Sequence, residues 1–313
     1  MSRIAIIDLG TNTFNLLIVE ASHDKTYQLV FQTKISVKLG EGGINKGFIA
    51  PVAFDRGINA LKIHKETIGK YNADKVFAIA TSAIRGASNG NEFVEKAKTE
   101  CGIEIQVITG DKEAEVIYYG VRDAVKMSNE TSLIIDIGGG STEFIIANKD
   151  QIFWKQSFLL GVARLLEMFN PSDPITDIEK QTLIDYLNHE LQPLFDAVKK
   201  YPVTELIGSS GSFDSLAEMV AHRFYSPHIF DGKTEYSFDL DDCAAVHETI
   251  LKSTIAQRLQ MKGLAAMRVD MIVISSILVH FILKSFSIPQ MRLSTYSLKE
   301  GILFEILNFK SLS

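Results

Sequence analysis

The chain is nearly without cysteine: Cys101 and Cys243 are the only two in 313 residues. Their spacing fits no metal motif, so neither a disulfide framework nor a zinc site is expected. Both thiols are expected to be buried or idle in a reducing compartment. An excess of positive charge is missing as well. The formal net charge is −6, whereas general nucleic-acid binding needs a basic face, so no DNA partner is expected. A polyanionic ligand stays open, because a local basic groove can exist on an acidic protein. No apolar run suits a bilayer. The longest, residues 269–283, contains Asp270, Ser275, Ser276 and His280 and reads as a buried helix. The apolar run at the N-terminus is short and stops at Asp8, which is not a signal pattern. A cytoplasmic protein with no membrane partner is therefore expected. Several motifs are absent too. The seven histidines show no metal spacing, and there is no Gly-x-Ser-x-Gly elbow. Asp231-Gly232-Lys233-Thr234 resembles the end of a Walker A loop, but Pro227 stands where its first glycine is required. Gly138-x-Gly140 lacks the third glycine of a dinucleotide fingerprint, because Glu143 stands there.

What is present is the stretch 132–147, SLIIDIGGGSTEFIIA. Two apolar runs flank a glycine-rich bend, the pattern of two strands joined by a tight turn. Gly138, Gly139 and Gly140 allow close backbone approach and leave bare N–H groups for an anion. Ser141 and Thr142 add hydroxyls, and Asp136 and Glu143 stand at the two edges of the bend. Carboxylates beside an N–H-lined loop suit a hydrated divalent cation on a phosphate chain, Mg²⁺ or Mn²⁺. Residues 4–19, IAIIDLGTNTFNLLIV, superimpose on this stretch without a gap. Asp8 falls on Asp136, Gly10 on Gly138 and Thr13 on Ser141. A repeat at so long a separation predicts two related half-domains, each presenting an acidic, hydroxyl-rich loop to the cleft between them.

The length suffices for two domains, and 46% hydrophobic with 22% charged residues is the balance of a soluble globular protein. Strands precede helices throughout. Expected strands lie at 3–8, 14–20, 27–39, 76–80, 103–108, 132–147 (as a hairpin), 152–159, 205–207 and 291–294. Expected helices lie at 51–71, 91–101, 112–126, 161–169, 176–199, 213–222, 241–257, 269–285 and from Leu298 onward. Residues 223–240 read as a polar surface excursion. The order predicts a layered α/β fold, with the domain boundary inside a helix near residue 122.

Four further positions have two readings each. Arg85 follows a strand and the pair Thr81-Ser82, so it is either a phosphate contact at a strand's carboxyl end or a surface arginine. Glu113, with Glu115, opens a helix, as a general base or simply as a complement to the helix dipole. Gly208, Ser209, Ser210, Gly211 and Ser212 join a strand to a helix, either as an anion loop or as a plain turn with Ser212 capping the helix. Arg164 would meet either a phosphate or a surface acid.

At this point the chain resembles the Ppx/GppA family of exopolyphosphatases and guanosine pentaphosphate phosphohydrolases, of the actin-like ATPase superfamily. The matching runs are DLGTNTFNLLIVE (8–20), ATSAIRGASNGNEF (80–93), ITGDKEAEVIYYGV (108–121), IDIGGGSTEFI (135–145), LGVARL (160–165), IGSSGS (207–212) and STYSLKEGIL (294–303). The resemblance implies two actin-like (ribonuclease H-like) α/β domains, 1–122 plus 297–313 and 123–296, with the active site in the cleft between them. It implies Glu113 as catalytic base, and Asp136 and Glu143 as acids that hold the metal and support catalysis, with Asp8 facing them. It implies phosphate contacts from Thr11, Asn12, Thr13, Arg85, Gly138, Gly139, Gly140, Ser141 and Thr142, and from the loop Gly208, Ser209, Ser210, Gly211 and Ser212. Gly86 departs from the acidic residue often found after the arginine. The chain ends soon after SLKEGILFEIL, like the short two-domain members without the long members' C-terminal helical extension. The activity so implied is metal-dependent release of orthophosphate from polyphosphate. The same chemistry on pppGpp and a non-catalytic alarmone or polyphosphate binder are the alternatives. A homodimer is in keeping with the resemblance.

Overall fold

Both halves of the repeat fold as hairpins, and each hairpin seeds a sheet. The computed structural model describes residues 2–22 and 24–309. In the first sheet, β1 (Ser2–Leu9) pairs antiparallel with β2 (Thr13–Ala21), Ile4 opposite Val19 and Asp8 opposite Asn15. β3 (Tyr27–Ser36) continues the antiparallel side, and β4 (Lys75–Ala80) and β5 (Ile105–Val107) add parallel strands, giving the order β3-β2-β1-β4-β5. Helix α1 (Pro51–Lys70), begun by a proline where the missing N–H is harmless, covers one face. α2 (Ser82–Arg85) and α3 (Gly90–Lys96) follow β4. α4 (Gly110–Ala124) is capped by Thr109, whose side chain accepts from the Lys112 N–H.

The second half repeats this plan. β6 (Ser132–Ile137) and β7 (Thr142–Ala147) pair with Asp136 opposite Glu143. β8 (Ile152–Phe158) joins β7 antiparallel, and β9 (Glu205–Ser209) joins β6 parallel. β11 (Met291–Ser294) lies parallel to β9, so β8-β7-β6-β9-β11 reproduces the order of the first sheet. An added strand, β10 (Glu235–Phe238), closes the edge against β11. Helices α5 (Val162–Phe169), α6 (Asp177–Glu190), α7 (Gln192–Lys200), α8 (Ser210–Phe224), α9 (Leu240–Leu251), α10 (Ile255–Arg258), α11 (Ile272–Ser285) and α12 (Leu298–Phe309) complete the chain. The fold is α/β, two sheets of matching strand order each packed with helices.

Three cores follow from which faces are apolar. Ile7, Phe14, Leu61 and Phe93 fill the space under α1 and α3. Leu133, Phe144, Phe213 and Ile274 fill that under the helices of the second half. Between the sheets, α4 and α12 bring Ile117, Tyr118, Val121 and Ile302 against Ile6, Ile134 and Ile145. Residue 122 lies in α4, and residues 310–313 of the expected first domain lie outside the described residues.

Some boundaries differ from the sequence expectation for identifiable reasons. Part of the expected excursion at 223–240 is the strand β10, because Tyr236 and Phe238 alternate inward and are buried. The helix expected at 176–199 breaks at Leu191, with Pro193 in the first turn of α7. The one expected at 241–257 ends at Leu251, and Thr254 caps the separate α10. Among the described residues no helix is long and apolar enough to cross a membrane, and both cysteines are buried.

Candidate functional site

The two bends face each other. Thr11 O accepts from the N–H groups of Leu39 (2.7 Å) and Gly40 (3.4 Å), and Asn12 O from Val37 (2.8 Å) and Lys38 (2.9 Å). In the second bend Gly138 O accepts from Val162 N (3.0 Å), and Gly139 O from Ala163 N (2.9 Å) and Arg164 N (3.2 Å). The chain leaving β3 and the first turn of α5 thus take up the carbonyls, so the remaining N–H groups are what the bends offer to the cleft. The bends also touch. A methyl group at Gly139 would overlap Asn12 Nδ2, and one at Gly140 would come within 2.6 Å of Thr11 Oγ1 and 2.8 Å of Ser82 Oγ. Only glycine permits this approach.

The cleft between them has a volume of about 500 Å³. Five carboxyl groups line it: Asp8, Glu113, Asp136, Glu143 and Asp214. Asp8 ends in β1, where Asn15 Nδ2 donates to Asp8 Oδ2 at 2.8 Å. Asp136 holds the matching place in β6, with Ser209 Oγ donating to Asp136 Oδ2 at 2.6 Å. Glu143 sits directly across the hairpin from Asp136 and accepts from Ser157 Oγ at 2.6 Å. Glu113, in the first turn of α4, accepts from Arg85 Nη1 at 2.8 Å. Burial pushes Asp8 up to about 6, against the pull of the Asn15 amide and Lys299. Burial likewise pushes Glu113 up to about 7, outweighing Arg85, with Asp136 and Asp8 adding to the rise. Asp136 is raised by burial despite the Ser209 and Ser210 hydroxyls. Glu143 is raised well above its usual range by burial and then by Glu113 and Asp136.

Thr11, Asn12, Thr13, Gly138, Gly139, Gly140, Ser141, Ser210 and Gly211 line the same cleft. Five other sequence-selected residues do not. Arg85 is held on Glu113 and on Ile108 O (3.0 Å). Thr142 donates to Leu160 O at 2.9 Å. Ser209 supports Asp136 from behind, and Gly208 lies under the ring of Phe213. Ser212 is buried inside α8, which starts at Ser210 after the N-cap Ser209, so Ser212 is no cap. Ser210, at φ +69°, takes a left-handed conformation that is costly for a residue with a Cβ.

Sequence reasoning missed Asn15, Lys34, Ser82, Asp214, Arg268 and Lys299, all of which line the cleft. Ser82 Oγ is buried there with no hydrogen-bond partner among the described residues. Asn15 had a signal: it occupies the repeat position of Glu143. The cations Lys34, Arg268 and Lys299 come from β3, the segment before α11 and α12, and no local spacing connects them.

The donor set fits a hard divalent cation. Like charges directly opposite each other on paired strands repel, and the Asp136–Glu143 pair is buried as well, so a cation would relieve both costs. Among the described residues no three acidic, histidine or cysteine groups converge as a metal-binding cluster. Mg²⁺ takes one or two carboxylates and fills its octahedron with waters and phosphate oxygens, so the Asp136–Glu143 pair would be enough to hold it.

The chain is 40% identical to an exopolyphosphatase from Cytophaga hutchinsonii whose crystal structure superimposes with a TM-score of 0.94, covering 98% of each chain. A crystal structure of the Aquifex aeolicus member of the Ppx/GppA family is 25% identical, with a TM-score of 0.80 over 99% of each chain. A putative exopolyphosphatase of Haemophilus influenzae is 28% identical over 304 residues, 97% of this chain and 91% of that one. Exopolyphosphatase 1 of Mycobacterium tuberculosis is 25% identical over 307 residues, 98% of this chain and 88% of that one. The model of the Ppx/GppA phosphatase family matches residues 18–309, and the chain belongs to that family.

Proposed function

We propose that this protein is an exopolyphosphatase, hydrolysing the terminal phosphoanhydride of inorganic polyphosphate and releasing orthophosphate. The observation that carries the proposal is the cross-strand pair Asp136–Glu143 set against two mirrored N–H-lined bends, with Glu113 buried beside it. In this reading residues 1–122 with 297–313 form one domain and 123–296 the other. The terminal phosphoryl group lies between the bends. Their N–H groups, Ser82 Oγ and the hydroxyls of Thr11, Thr13 and Ser141 donate to its oxygens. Lys34, Arg268 and Lys299 attract the following phosphates along the cleft. Asp136 and Glu143, with Asp8 opposite, would hold Mg²⁺ or Mn²⁺, which would neutralise charge on the phosphate oxygens. Glu113 takes a proton from the attacking water. Its raised pKa supports that role, since a base works best when its pKa lies near the working pH. Arg85 keeps the Glu113 carboxylate aimed.

The test is phosphate release from long polyphosphate, tripolyphosphate, pppGpp and ATP, each with Mg²⁺ and with EDTA. We expect Mg²⁺-dependent release from polyphosphate, and a fall of about 10²–10⁴-fold in kcat for Glu113→Gln with little change in affinity. Faster release from pppGpp than from polyphosphate would replace the substrate. Tight binding of either without turnover would make the protein a binder rather than an enzyme.

A further inference from the structure

Arg164 meets neither of the partners that sequence reasoning allowed it. It stands in the first turn of α5, and among the described residues its guanidinium forms no ion pair, although Glu167 on the same helix acts on its charge. Nε donates to Gly140 O at 3.1 Å, in the second bend. Nη1 donates to Ile44 O at 2.9 Å and to Asn45 Oδ1 at 3.2 Å, on the other side of the cleft. Asn45 returns the contact, its Nδ2 donating to Arg164 O at 3.1 Å. One side chain therefore ties the second phosphate bend to residues 44–45 of the first half. Those residues belong to the glycine-rich segment after β3, where Gly42 and Gly47 both sit at φ +72°. The opposite crossings are simpler: Lys38 to Asp270 at 3.5 Å, both well exposed, and Asn12 Nδ2 to Met271 Sδ at 2.9 Å.

We propose that Arg164 is a positioning residue, a clasp that couples closure of the cleft to the shape of the second phosphate bend. Its planar fork is what the geometry uses. One edge fixes the Gly140 carbonyl, so the peptide that follows keeps its N–H on the cleft side. The other edge engages residues 44–45 only when the two halves are close. Its partners are two backbone carbonyls and an amide oxygen, none of them a carboxylate, so its positive charge is not spent on an ion pair and adds to the field that holds an anion at the bend. Release of the fork would loosen the bend and open the mouth together. Residues 44–45 thus act on the reaction through Arg164 without touching substrate.

The kinetic arm of the test rests on the hydrolase reading, and the structural arm does not. In the structural arm, spin labels at Lys46→Cys and Met168→Cys report the width of the mouth; both parent residues are exposed, while the native Cys101 and Cys243 are buried. Pulsed EPR with tripolyphosphate present should give one narrow distance for the parent. Arg164→Ala and Arg164→Lys should both broaden and lengthen it, because lysine keeps the charge and loses the fork. In the kinetic arm, Arg164→Ala should lower kcat about tenfold or more at saturating polyphosphate, and Asn45→Ala less. The double variant should be no worse than Arg164→Ala alone, since both remove one contact. Thermal midpoints should change by no more than a few degrees. An unchanged distance distribution, full rescue by lysine, or independent effects of the two substitutions would each overturn the clasp. A parent that releases no phosphate but still narrows on tripolyphosphate, with Arg164→Ala failing to narrow, would overturn the hydrolase reading and leave the clasp standing.

Discussion

Asp214 shows how the cleft balances its charges one residue at a time. It lines the cleft from α8, and Lys299, Arg268 and Lys34 all pull its pKa down, yet burial wins and pushes it up to about 6. An acid raised above its unfolded value costs the folded state nothing below pH 4. The cost grows as pH rises through the window from about 4 to 6 and is complete above it. Asp214→Asn should therefore raise stability by about 3 kcal/mol at pH 8, and the gain should disappear towards pH 4. The same change removes a negative charge that lies among three cations of the cleft, so KM for polyphosphate should fall several-fold at low salt. Denaturant midpoints across that pH range and a KM series against ionic strength check both parts. A gain that is equal at pH 4 and pH 8 would count against buried ionisation as its cause. None of these residues was legible in advance. Asp8, Asp136, Glu113 and Glu143 announce themselves because each stands in a local pattern of glycines, hydroxyls or a helix start. Lys34, Arg268 and Lys299 are brought together only by tertiary structure.

Among the elements, the two hairpins were the most legible, because their gapless repeat fixes register as well as type: Asp8 opposite Asn15 and Asp136 opposite Glu143 follow from one alignment. β10 was not legible, since four residues in a polar setting gain their order from β11 alone. The start of α8 was also misjudged, because Ser210 enters the helix through a left-handed φ that its side chain disfavours. The packing of α9 on α11 carries a prediction of its own. His247 Nδ1 lies 2.6 Å from Ser276 Oγ, and its ring stacks on His280 with centroids 3.9 Å apart. Burial lowers His247 to about 4, helped by His280 and by Lys180 of α6 and Lys284 of α11, while Glu248 opposes. A histidine depressed in the folded state contributes stability that is intact above pH 6.5 and is lost as pH falls towards 4. His247→Gln cannot titrate, so its deficit relative to the parent at pH 8 should shrink by about 3 kcal/mol by pH 4. Urea denaturation of both proteins at the two pH values measures the change, and a deficit constant with pH would show that the ring does not protonate in that window.

At the scale of the molecule, the two sheets communicate through the pair α4 and α12, packed in the core between them. They cross at glycines: a methyl group on Gly301 would overlap Val116 O, and one on Gly120 would overlap Ser297 O. Both helices also reach the cleft at their N-terminal ends, α4 with Glu113 and α12 with Leu298 and Lys299. A wedge at the crossing therefore displaces Glu113 and Lys299 together without touching either. Gly301→Ala adds one methyl where the partner is rigid backbone, so the helices must part. We expect a loss of about 2 kcal/mol from overpacking. We also expect a fall in kcat of up to about 10²-fold, because a displacement of about an ångström is enough to misplace an attacking water. The control is Gly69→Ala in α1, where an added methyl meets nothing and better helix propensity should add about 0.5–1 kcal/mol with no effect on turnover. Should Gly301→Ala lose stability but keep full kcat, α12 would be a brace for the fold alone, and the geometry of the cleft would be set by the two sheets without it.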